Sequence, residues 1–375
     1  MTKLGPSMSF NLLLRCSRLS SLLTAIFAAN PLPAANATSM QVNAFGHLEL
    51  TTSRAENEVN SSFSVGEHSL FVNSSLNERF SYVGEFAVRF NTAGSNYSAS
   101  IERSLVKYAY SNNHSVLFGK LHTPVNYWND SYHHGRLFFP VIDRPTAFSY
   151  LIPLHTLGLQ LQGQNIGPRK WGYDFMFGNG IDSTDALQEG HSPAAMLAIH
   201  AKPVEGMRIG ASYFYDRLET NTPGAHAGHG IAPGFQRANA YKGPVNFHLA
   251  CVSVAWFGQE HEFLNEFVYN AAQTDLTGTA DNYANFTYAG WRLRDHWVAY
   301  GLVDYFRTAD KDVHTYPFQR MKFALGVRHE FNHLLNVKVQ LEHTTEHHAH
   351  LHMGKISYWH VDRVPGLRVQ VAYGF

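Results

Sequence analysis

Cysteine is nearly absent from this chain: among 375 residues there are two, Cys16 and Cys251. Cys16 falls in the N-terminal segment read below as a leader, so Cys251 stands alone as a small apolar wall residue and no intrachain disulfide is expected. Charge is scarce too. Charged residues make up 15%, well under the roughly 25% of an ordinary soluble domain, which excludes the densely charged surface of a typical cytosolic enzyme. The formal net charge is zero, so there is no electrostatic reason to expect a nucleic-acid partner. After residue 37 no apolar run reaches the about 18 residues a spanning helix needs. Neither a G-x-S-x-G elbow nor a P-loop spacing occurs, and Glu262 and Glu266, which share one strand parity, read as lining rather than a catalytic pair. No enzyme and no cofactor is therefore expected.

Aromatic residues are plentiful instead, with 26 Phe and 19 Tyr in a chain that is 45% hydrophobic. Such a composition suits strands with one apolar face and aromatic rims. The N-terminus has the organisation of a secretory leader. Lys3, Arg15 and Arg18 precede the short apolar stretch Leu19 to Ala29, and Ala35-Asn36-Ala37 supplies a small-x-small cleavage site. The expected domains are a signal peptide at 1–37 and one barrel domain at 38–375.

The remainder alternates with a period of two. In 366–375, Leu367, Val369, Val371, Tyr373 and Phe375 oppose Arg368, Gln370, Ala372 and Gly374. In 80–90, Phe80, Tyr82, Phe86, Val88 and Phe90 oppose Ser81, Glu85 and Arg89, and in 322–330, Phe323, Leu325 and Val327 oppose Lys322, Arg328 and Glu330. Sixteen such stretches can be counted, many as long as the about 9–11 residues of a tilted membrane strand. Even-numbered gaps are tight, as at Asn112-Asn113, Ile166-Gly167-Pro168 and Asn332-His333, whereas odd gaps are longer and the third runs from His122 to Leu154. Short turns on one side and long loops on the other are the mark of an outer-membrane barrel. The expected fold is all-β: a transmembrane antiparallel β-barrel of about sixteen strands, with fourteen or eighteen also compatible.

The closing run Leu367 to Phe375, ending on Tyr373-Gly374-Phe375, resembles the C-terminal signature of Gram-negative outer-membrane proteins, and Gly119-Lys120-Leu121-His122-Thr123-Pro124 with Tyr127-Trp128 and His133-His134-Gly135 resembles the stretch before the longest loop of barrel porins. The resemblance to the porin superfamily implies a water-filled pore in the outer membrane of a Gram-negative bacterium. It further implies Tyr373 and Phe375 as the membrane-insertion signal, with outer-membrane lipid and the barrel-insertion machinery as partners, possible homotrimer assembly, and one long loop folded inward.

If Leu, Val and Phe face lipid, the opposite face must face water, and a barrel of this size is too wide for side chains to fill. The expected pore wall includes Glu85, Arg89, Lys322, Arg328, Lys338 and Arg368, with the basic members, joined by Arg103 and Lys107, forming a strip. The expected constriction is Asp130, His133, His134, Arg136, Asp143 and Arg144 on the long third loop, where fixed charge would select ions and solutes. His343, His347, His348, His350 and His352 read as a cluster in the last external loop that could hold a metal, and His226 and His229 sit in a glycine-rich loop. The expected function is passive diffusion of small hydrophilic solutes and ions. Two alternatives stay open: a channel selective for an anion, sugar or metal complex, and an adhesin or structural barrel with a closed lumen.

Overall fold

In the computed structural model, described residues are 39–55, 58–91, 96–132, 135–181, 192–220, 241–315, 318–352 and 355–375. The expected leader, the loop bearing His226 and His229, and the constriction candidates His133 and His134 lie outside the described residues. The strands are β1 (Ser39–Ala55), β2 (Glu58–Ser75), β3 (Phe80–Asn91), β4 (Asn96–Ala109), β5 (His114–His122), β6 (His155–Ile166), β7 (Trp171–Gly178) and β8 (Ala194–Ala201). They continue as β9 (Met207–Leu218), β10 (Val245–Phe257), β11 (His261–Thr274), β12 (Gly278–Arg294), β13 (Trp297–Arg307), β14 (Phe318–Asn332), β15 (Leu335–His352) and β16 (Lys355–Gly374).

Each strand pairs antiparallel with its sequence neighbours, and β1 pairs with β16, closing a sixteen-stranded barrel. Closure removes every free strand edge, which is what lets a sheet satisfy its backbone inside lipid. The period-two pattern is the reason these residues form this wall. Phe118, Leu325 and Leu341 are exposed on the outer face at 64%, 71% and 62%, while their sequence neighbours turn into the barrel. A band of such exposed apolar side chains around a closed barrel suits the hydrocarbon of a bilayer. An aromatic girdle edges one rim: Trp171, Trp256, Trp291 and Trp297 all flank tight turns and are exposed. The wall is therefore built to face lipid.

Two details differ from the sequence reading. The odd connections are not uniformly long: 56–57, 275–277 and 353–354 are short, because β1–β2, β11–β12 and β15–β16 continue as hairpins beyond the wall. Strand pairing satisfies the backbone of these segments without a loop. Consequently His343, His347, His348, His350 and His352 are not in a loop but along β15. An extended strand advances about 3.3 Å per residue, so the first and last are about 30 Å apart and cannot share one metal.

Candidate pore and its constriction loop

Residues 123–154 leave the wall after β5 and return at β6, and they fill the barrel rather than cap it. The loop has secondary structure of its own: helix α1 (Tyr127–Ser131) and helix α2 (Thr146–Tyr150). Both are single turns, too short to be stable alone, and the wall holds each one. Asn126 caps α1 by accepting from the Asn129 amide at 2.9 Å, and Glu266 on β11 accepts from the Trp128 amide at 2.9 Å. Asp304 on β13 accepts from the Thr146 amide and hydroxyl at 2.8 and 2.7 Å. A carboxylate thus meets the positive end of each short helix. The feet of the loop are tied by Asn129, whose side-chain amide donates to the carbonyls of Thr123 and Leu154 at 2.6 and 3.2 Å.

Apolar packing does the rest. Trp128 is fully buried and meets Phe139 and Phe286 of β12 edge-on at 5.0 and 5.3 Å, and Tyr150 meets Phe306 and Phe318 at 5.3 and 4.7 Å. The sequence reading assigned the inner face to polar residues. Along β9 to β13 it is instead largely apolar, with Phe214, Phe247, Leu264, Phe286 and Leu302 in one buried cluster with Trp128, Phe148 and Leu151 of the loop. A loop that crosses the lumen gives those side chains partners, so the inner wall on that side is a core.

Between the helices the loop is held by cations and one amide of the far wall. Lys338 donates to the Arg136 carbonyl at 2.5 Å, Asn336 to the Leu137 carbonyl at 2.6 Å, and Arg328 to the Pro140 carbonyl at 3.0 Å. Asp143 pairs with both Lys322 and Arg368. Burial works to raise the Asp143 carboxyl, but those two cations overcome it and hold it well below the ordinary carboxylate range. Arg144 reaches Glu67 of β2 at 3.4 Å. Burial, reinforced by nearby Arg144, lowers the Arg136 guanidinium to about 10. Its Nη1 donates to the Ile142 carbonyl at 2.5 Å and its guanidinium stacks on Phe139 at 5.0 Å. Asp130 lies apart from this group and pairs with Arg208 of β9 at 2.5 Å. The structure therefore brings Arg136, Asp143 and Arg144 together and separates Asp130 from them.

All six expected wall residues face the lumen, but the basic strip is not one. Arg89 pairs with Glu67 and Glu102 at 2.5 and 2.8 Å, and Arg103 with Glu85 at 2.7 Å. Lys322 pairs with Glu342 at 2.8 Å, Arg328 with Glu262 and Glu330 at 2.8 Å each, and Arg368 with Glu49 at 2.9 Å through its Nε. Lys338 is fully buried, with Gln370 at 3.2 Å. Lys107 donates to Gln162 at 3.2 Å. Low-dielectric surroundings make an unpaired charge costly, so each cation has a partner. Sequence reasoning missed the acids that do this, Glu49, Glu67, Glu102 and Glu342, and the pair His122 and His155. Glu49 and Glu342 were legible from parity. Glu102 was not: a bulge opposite Glu85 and Phe86 interrupts the alternation of β4. His122 and His155 face each other across β5 and β6 with rings 5.1 Å apart, and His155 lies 2.9 Å from Glu102.

Other motifs resolve differently. Residues 329–333, His-Glu-Phe-Asn-His, carry the H-E-x-x-H spacing of zinc hydrolases, which sequence reasoning passed over. That motif needs a helix to place both histidines on one face. Here it runs along the end of β14 into a turn, with the His329 ring tilted against Trp297 at 4.2 Å and Glu330 bound to Arg292 and Arg328. Glu262 and Glu266 both face inward, one held by Arg328 and Tyr288, the other by the loop. Among the described residues no group of three or more His, Cys, Asp or Glu could hold a metal ion. Tyr373 is hydrogen-bonded to His68 at 2.8 Å, and the Phe375 backbone closes against Ala44 at 2.8 and 2.9 Å with its ring exposed.

The sequence matches no protein-family model and no curated protein. The fold does have known counterparts. The chain is similar to an anion-selective porin from Comamonas acidovorans, with a TM-score of 0.63 at 8% identity over 90% of this chain and 100% of that one. It is similar to OmpT, an outer membrane protein of Vibrio cholerae in trimer form, with 0.60 at 12% identity over 91% and 100%. It is also similar to Pseudomonas putida OprB, with 0.53 at 10% identity over 90% and 94%. These likenesses show the fold, a barrel of the porin type.

Proposed function

We propose that this barrel is an outer-membrane channel through which small hydrophilic solutes and ions diffuse passively, past the loop at 123–154 and along the charged wall of β2 to β5. One observation carries this reading. The loop is packed on the apolar half of the lumen and pinned to β11, β13, β14 and β16, so that the other half, bearing Glu67, Glu85, Arg89, Glu102 and Arg103, is left as the polar lining. Acids and bases alternate there with nearly equal weight, and such a lining discriminates by geometry more than by the sign of charge.

A second reading, a solute-selective channel rather than a general one, is favoured by the Arg144–Glu67 contact, because it spans from the loop to the wall and narrows the passage. Single-channel recording of the refolded protein in a planar bilayer tests both. Steady ohmic openings with weak ion discrimination support the general pore, small openings blocked by one solute class support the selective one, and a silent, folded barrel removes conduction altogether. Assembly as a homotrimer, the form in which the Vibrio cholerae protein is described, belongs to the same proposal. A detergent-corrected mass of one chain in mild detergent would remove it.

A further inference from the structure

At the rim carrying the tight turns and both strand ends, the periplasmic rim in barrels of this architecture, the lumen holds a cavity of about 350 Å³ under the loop. That volume lies in the range of small-molecule sites. Much of its lining is aromatic: Phe45 of β1, Phe71 of β2 and Phe138 of the loop, with Phe45 and Phe138 edge-on at 6.0 Å. Apolar rings turned toward the watery interior of a barrel are costly unless something apolar covers them.

Its polar lining is donor-rich. Arg103 lies over the Phe71 ring at 4.8 Å, and its Nε is taken by Glu85 at 2.7 Å. That leaves the two terminal nitrogens of the guanidinium with no partner among the described residues, on a side chain that is 26% exposed. Asn43 and Asn73, on the same lining, make no side-chain hydrogen bond among the described residues. The carboxylates of the lining are already committed, Glu85 to Arg103 and Asp130 to Arg208. A guanidinium edge and two amides supply unspent N–H groups at the side of an apolar pocket. A planar group with two acceptor oxygens and an apolar body would satisfy both features, since the guanidinium edge matches a carboxylate bidentately.

We infer that this cavity is a binding site for a small aromatic carboxylate, its carboxylate on Arg103 with Asn43 and Asn73 in support and its ring among Phe45, Phe71 and Phe138. The site needs the closed barrel and the docked loop but not an open pore. It would give the channel a solute preference at its inner mouth.

The test is a fluorine NMR titration of the refolded barrel in detergent micelles with para-fluorobenzoate, using para-fluorobenzyl alcohol as the neutral analogue of the same shape. The acid should show saturable line broadening, and the alcohol should bind about tenfold more weakly or worse. Arg103→Gln should weaken the acid by a similar factor. Because that change strands the buried Glu85, a second variant, Asn43→Leu with Asn73→Leu, leaves the ion pair intact and should weaken the acid about fivefold. Equal uptake of acid and alcohol, or affinities that neither variant moves, would mean partition into apolar surface alone and would overturn the inference. The titration reads binding and not current. A silent barrel that binds the acid would remove the conduction reading only, and a conducting barrel that does not bind it would remove this inference only.

Discussion

Arg328 shows how much rides on single residues in this lumen. It is 8% exposed, donates to both oxygens of Glu262 at 2.8 and 3.1 Å, holds Glu330, and fixes the loop through the Pro140 carbonyl. Removing one partner of a buried pair leaves an uncompensated charge, which costs far more than the pair is worth intact. Arg328→Met should therefore lower stability by about 3–5 kcal/mol, read from urea unfolding of the refolded barrel. Arg328→Met with Glu262→Leu should recover a large part of that loss, since it removes the stranded carboxylate too. A single variant as stable as the parent would show that water reaches Glu262 and screens it.

At the scale of elements, the loop at 123–154 is an insert with its own small core, and β15 and β16 are a hairpin longer than the wall requires. The loop depends on Trp128, which joins its two halves through Phe139 and anchors them to Phe286. Truncating a fully buried Trp costs about 3–5 kcal/mol. In Trp128→Ala that loss should fall on loop docking rather than on the barrel ladder, because the strands keep all their backbone hydrogen bonds. Limited proteolysis should then cleave within 123–154 while the barrel still migrates as folded, and single-channel current should rise. Unchanged current with a cleaved loop would show that the loop does not set the width of the passage.

For the molecule as a whole, pH acts on the connection from β13 to β14. Asp312 is buried, accepts from the Asn282 amide at 2.6 Å and from the backbone of His314 and Thr315, and burial pushes it up to about 6. Burial lowers neighbouring His314 to about 4. The signs run opposite ways. A raised carboxyl stabilises the folded loop when protonated and loses that contribution as pH rises through about 6, whereas a depressed imidazole stabilises it when neutral and loses that contribution as pH falls through about 4. Each loss is spread over the interval between the free and the folded value, about 4 to 6 for the carboxyl and about 6.5 to 4 for the imidazole, so the two offset and hydrogen exchange at 308–315, once corrected for the intrinsic rate, should change little between pH 4 and 6. Asp312→Asn removes the offset, so exchange there should accelerate steadily as pH falls from about 6.5 to about 4, and a variant whose exchange stays flat over that range would show that His314 is not held neutral.

The sequence by itself determined the wall. Two-residue periodicity on strands long enough to cross a bilayer, joined alternately by tight turns and longer loops, points to a closed barrel, because every backbone group in lipid must be paired within a closed sheet. Hence the strand number, the outward faces of strands such as Phe323-Ala324-Leu325 and the tight turns at 76–79 and 295–296 were legible. Strand ends were not, because a hairpin such as β15–β16 that continues beyond the membrane keeps its pairing without keeping an apolar face, and polar histidines then look like a loop. The tertiary structure alone decided what lies inside. Phe247, Leu264 and Phe286 have the same parity as Glu262, Glu266 and Asn282, and only the arrival of Trp128 and Phe148 from a distant part of the chain makes one stretch of inner wall a packed core. The charged partners were decided the same way. Whether Arg89, Arg103 or Arg368 is a free cation or half of an ion pair depends on which acid the barrel's register sets beside it, and that register joins residues as far apart as Glu49 and Arg368.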